Sequence, residues 1–89
     1  SQEYIAPKVV MTPQDSFYAE KESLPLEETR GRICSEFVMC YPPGIPVLAP
    51  GEEITDEIIN YIVYAKEKGC SMTGPEDERI ERLNVLTER

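Results

Sequence analysis

Residues 31–55 read GRICSEFVMCYPPGIPVLAPGEEIT. The stretch sets four prolines and three glycines among apolar residues. Its first part, residues 32–41, has the alternation of a strand. Arg32, Cys34, Glu36, Val38 and Cys40 share one face; Ile33, Ser35, Phe37, Met39 and Tyr41 share the other. Both faces are largely apolar, which predicts a strand covered on both sides. Pro42, Pro43, Pro46 and Pro50 then fix extended, polyproline-like geometry, with Gly44 and Gly51 supplying turns. A loop with so many preset dihedrals loses little entropy on ordering, so it is expected to hold one shape.

Outward from this stretch, the clearest element lies downstream. Thr55 reads as an N-cap, with Asp56 and Glu57 in the positive first turn and Ile54 placed to staple onto Ile59. Ile58, Ile59, Ile62, Val63 and Ala65 form an apolar stripe at helical spacing, and Gly69 is a stop. The spacing predicts a helix over 56–68, with Tyr61 and Tyr64 flanking its stripe. In the tail, DERIERLNVLTER, Gly74-Pro75 marks a preceding turn. The tail's charges permit a helix, but Leu83 and Val85 would share a face of a closing strand, which is the reading favoured. Upstream, PKVVM at 7–11 reads as a short strand. Thr12-Pro13-Gln14-Asp15 starts a short helix to about Glu20, anchored by Phe17 and Tyr18. Pro25 forbids helix and predicts an extended segment over 24–28. The fold class expected is α+β: a short mixed or antiparallel sheet, one main helix, a shorter N-terminal helix and a rigid proline-rich loop. Residues 1–6 are expected to be flexible.

With 89 residues the chain reads as one domain. At this size folding buries only about 60% of the extended chain's surface, so such a domain often leans on a neighbour. The net charge of −8 excludes a nucleic-acid reader and an anionic-membrane binder, which need clustered Lys and Arg. No apolar run approaches the ~20 residues of a membrane span. Cys34, Cys40 and Cys70 are odd in number, form no CxxC pair and follow no signal peptide, which points to a reducing cytoplasm and to buried apolar roles. The sequence holds no histidine, so a metal site or a nucleophile–base pair lacks its usual members. No phosphate-binding glycine fingerprint is present. Glu27, Glu28, Glu52 and Glu53 read as surface or capping groups. Arg32 and Glu36 stand apart, because both fall on a strand that otherwise looks buried. An unpaired buried carboxylate costs several kcal/mol, so Glu36 is expected to pair with Arg30 or Arg32, or else to face a cavity or partner.

The stretch closely resembles the C-terminal domain of the Orn/Lys/Arg decarboxylases. The resemblance is carried by Gly31, Arg32, Ile33, Glu36, Tyr41, Pro42, Pro43, Gly44, Pro46, Pro50, Gly51 and Glu52, and extends more weakly over residues 9–70. It implies a pyridoxal-phosphate enzyme that decarboxylates arginine, lysine or ornithine, with the cofactor held by a lysine beside a histidine in a large catalytic domain. Lys8, Lys21, Lys66 and Lys68 match no such motif. The chain alone is therefore expected to bind no cofactor and to be inactive. Its implied partners are the catalytic domain of the same polypeptide and a second subunit. Arg32, Glu36, Tyr41, Pro42, Pro43 and Gly44 are the candidate residues at that interface or at the edge of the active site. The alternatives are a stand-alone acidic protein–protein interaction module and a small enzyme using Glu36.

Overall fold

The computed structural model describes residues 5–41 and 44–88. Two helices and five strands build an α+β fold with two antiparallel sheets. The first helix, α1, spans Pro13–Tyr18. Thr12 caps it as expected, its hydroxyl accepting the Asp15 N–H at 3.1 Å. Its anchor is Ser16, fully buried with its hydroxyl donating to the Cys34 carbonyl. Phe17 and Tyr18 do not anchor it: they are 69% and 76% exposed and stack edge-to-face on each other. A six-residue helix has one narrow inward face, and two adjacent positions do not both lie on it.

Strand β1, Lys21–Pro25, runs antiparallel to β5, Arg82–Leu86, with Leu24 opposite Leu83 and Glu22 opposite Val85. The closing strand is thus where the alternation placed it, with Leu83 and Val85 buried. The segment expected over 24–28 starts and ends earlier. Past Pro25 the chain turns into a 3₁₀ turn, Leu26–Glu28, and Leu26 becomes core.

The second sheet has the order β3-β2-β4, with β2 Val38–Tyr41, β3 Ile45–Leu48 and β4 Ser71–Thr73. Only the last four residues of the strand expected over 32–41 belong to it. The chain bends at residues 35–37, where the Cys34 thiol donates to the Glu36 carbonyl and accepts the Glu36 N–H. Before the bend, residues 33–35 lie along β5 instead: Cys34 bridges Val85, Leu86 N–H reaches Ile33, and Ser35 N–H reaches Asn84. The same segment therefore serves both sheets. Even positions Cys34, Val38 and Cys40 are buried, whereas Phe37 and Tyr41 are exposed, so the strand is covered on one side rather than two.

The region expected to be a polyproline-like loop holds a strand. Pro46 sits within β3 opposite Met39, beside a register shift, on the edge of the sheet. An edge position tolerates a residue with no N–H to give. Pro42 and Pro43 lie outside the described residues. Residues 7–11 form no strand either. Val9 makes a single bridge to Glu52, while Val10 and Met11 both donate to the Gly51 carbonyl. Their partner is a tight turn, and a turn offers no ladder. That turn requires glycine: φ at Gly51 is +94°, and a Cβ there would stand 2.2 Å from the Met11 carbonyl oxygen.

Helix α2, Asp56–Glu67, is capped by the Thr55 hydroxyl, which accepts the Ile58 N–H at 3.3 Å. Ile58, Ile62 and Ala65 face the core; Ile59 is half-buried and Val63 exposed, so the buried stripe is narrower than the apolar one. The core joins this stripe to Val38, Leu48, Met72, Ile80 and Val85.

Candidate functional site

Among the described residues an apolar cleft of about 450 Å³ opens on the surface. Phe37 comes to it from just before β2 and Met39 from within β2, Ile45 to Leu48 from β3, and Ile58 and Tyr61 from α2. Ile5 and Pro7 line it from the N-terminal segment. Ile5 is half-buried against the core; residues 1–4 of the segment expected to be flexible lie outside the described residues. Glu52 is the one charged residue among the described residues of the lining, and its Oε1 accepts the Ala49 N–H at 3.1 Å, closing the 49–52 turn.

Among the described residues the lining of this cleft carries no cysteine, serine or lysine, and Glu52 and Tyr61 are its ionisable side chains; the cysteines lie outside it. Burial pushes the pKa of the Cys34 thiol up to about 12, away from the thiolate that a nucleophile needs. Burial likewise raises Cys40, whose thiol lies beside Cys70 and the Tyr61 hydroxyl, and raises Tyr61 itself. Among the described residues no group of three Cys, Asp or Glu side chains could hold a metal ion. No helix among them is long and apolar enough to cross a membrane.

Among the described residues, the sequence-predicted site residues Arg32, Glu36 and Tyr41 each have partners of their own. Arg32 is 14% exposed; its Nη2 donates to Glu22 at 2.6 Å and to the Leu86 carbonyl at 2.7 Å, and its Nε stands 3.5 Å from Glu88 without a hydrogen bond. Arg30 pairs with Asp56. Neither arginine pairs with Glu36. That carboxylate instead accepts three N–H groups: Glu76 N at 2.8 Å, Asn84 N at 2.8 Å and Asn84 Nδ2 at 3.3 Å. Backbone amides supply what a cation was expected to supply, and Glu36 fastens the bend at 35–37 to the 74–77 turn and to β5. Tyr41 is exposed at the end of β2, its ring packed where a Cβ on Gly44 would stand, 2.8 Å away. Phe37, Met39, Ile45 and Val47, which form the cleft, were not singled out by motif. For Phe37 and Met39 the signal was the second apolar face of residues 33–41, read as covered; Ile45 and Val47 fell in the stretch read as a loop.

Residues 2–79 match the family described as Orn/Lys/Arg decarboxylase, C-terminal domain. Among similar proteins, an arginine decarboxylase of Bacillus subtilis (strain 168) is 49% identical over 83 residues, covering 93% of this chain and 17% of that protein. A lysine decarboxylase of Hafnia alvei is 33% identical over 81 residues, covering 83% of this chain and 11% of that protein. The crystal structure of the Francisella novicida lysine decarboxylase LdcF superposes with a TM-score of 0.74 at 25% identity, over 93% of this chain and 14% of that one. The chain thus spans about a sixth of the arginine decarboxylase and less of the others.

Proposed function

The chain belongs to the Orn/Lys/Arg decarboxylase family, as its C-terminal domain, and from that premise we propose that it is an accessory domain of a pyridoxal-phosphate-dependent decarboxylase. In this reading it contributes shape and contact surface, at the active-site entrance or a subunit interface, and no reacting group. The observation that carries it is the pairing of a family match with a concavity built from apolar side chains.

The cofactor that the family implies does not fit these residues. It needs a lysine for its aldehyde and donors for its phosphate. Lys8 is exposed and paired with Glu53 at 3.2 Å; Lys21 donates to the Phe17 and Ala19 carbonyls; Lys68 lies exposed over the Tyr64 ring. Lys66 borders a polar depression that it shares with Arg79, Glu78 and Glu81, where two carboxylates offset the two cations a phosphate would need. The lysine that holds the cofactor is therefore assigned to the rest of the polypeptide.

Arginine is the substrate proposed for the whole enzyme, since identity is higher to the arginine than to the lysine decarboxylase. The test is an assay of the full-length gene product with pyridoxal phosphate on arginine, lysine and ornithine, with the amine product identified. Highest kcat/KM on arginine is the expected result. Amine release from none of the three would overturn the reading.

A further inference from the structure

The apolar cleft has an occupant that can be argued from its own walls. We propose that it seats apolar side chains from the polypeptide preceding this domain in the full-length decarboxylase, in the same subunit; this rests on the accessory-domain reading. Three observations carry it. The family places this domain C-terminally, and the chain spans only 17% of the arginine decarboxylase it matches, so the remaining bulk precedes it. The segment through which that bulk connects, at Ile5 and Pro7, itself lines the cleft. A surface tethered at the rim of a cleft reaches it at high effective concentration, whereas a second subunit must pay the full cost of association.

The walls also say how the occupant sits. Phe37 is 57% exposed among the described residues and stands in the lining, an aromatic anchor more than half uncovered. Strand β3 is a sheet edge, but Pro46 removes a donor from it. An edge broken by proline is a poor template for an added strand. The contact is therefore made by side chains entering between β3 and α2, near Tyr61 and Ile58.

Photo-crosslinking in the full-length enzyme tests this. With Phe37→p-benzoylphenylalanine, irradiation should give a product of unchanged chain mass, with the cross-link mapped by peptide mass spectrometry to residues preceding this domain. A product of twice the chain mass would place the occupant on another subunit and overturn the proposal. A second variant guards against a silent cross-linker. In full-length Phe37→Cys, maleimide should label position 37 at least about tenfold more slowly than position 67 in Glu67→Cys, an exposed site on α2. Equal labelling rates would show an open cleft and also overturn it. Amine release by the unmodified enzyme is assayed in parallel, so failure of the decarboxylase reading is seen separately from failure of the docking.

Discussion

Glu36 shows how one carboxylate can hold three segments together. Its oxygens accept two backbone N–H groups and one side-chain amide, from Glu76 and Asn84. Glu36→Gln keeps the shape but turns one acceptor into a donor, set against an N–H. Hydrogen bonds to charged groups contribute about 1.5–3 kcal/mol, and a stranded donor adds its own desolvation. We expect a loss of about 2 kcal/mol in urea denaturation of the domain; a loss within error would mean that water replaces the carboxylate. Cys34, beside it, is fully buried. Burial is the main cause of its raised pKa; the Glu36 N–H offsets part of the rise, and the Glu36 and Glu52 carboxylates add to it. Because the folded value, about 12, exceeds the ordinary 9.0, the stability this thiol contributes is complete below pH 9 and falls as pH rises toward 12. At pH 8 the half-buried Cys70 should be alkylated well before Cys34; equal rates would contradict the burial. At this scale the sequence made Glu36 conspicuous but not its partners. Asn84 and Glu76 lie 48 and 40 residues away, and backbone donors carry no residue signature.

Among the elements, α2 was the most legible, because its signals are local: a cap, an acidic first turn, a stripe and a stop all lie within 15 residues. Thr55→Ala should cost about 1 kcal/mol and Thr55→Gly only a few tenths, measured by thermal or urea unfolding. Equal small losses in both would mean that the Ile58 N–H has another partner. Strand β5 was only half legible: Leu83 and Val85 share a face across Asn84, but the charges of the tail permit a helix as well, and Leu86 breaks the alternation. Residues 33–48 were not. Alternation runs on through the bend at 35–37, which is made by side-chain contacts to Cys34 and Asn84, and Pro46 argues against the strand that contains it. Local preference yielded there to pairing with residues that are distant in sequence.

Over the whole molecule, the pairing of β1 with β5 joins residues 21–25 to 82–86 and closes the fold. Residues 33–35 lie along β5 and residues 38–41 form β2, so the 31–55 stretch does decide the architecture, by bending from one sheet into the other. The cleft was legible only as an excess of apolar residues; that they would be left uncovered is a property of the assembled surface. The acidic charge and the absence of histidine, by contrast, bounded the chemistry from composition alone. The central claim is that this domain shapes a decarboxylase whose cofactor is held elsewhere in the polypeptide. Borohydride reduction of the full-length enzyme loaded with pyridoxal phosphate, followed by peptide mapping, tests it most directly. The account predicts a single pyridoxyl-lysine in the sequence preceding this domain. A stoichiometric pyridoxyl group on Lys8, Lys21, Lys66 or Lys68 would contradict it.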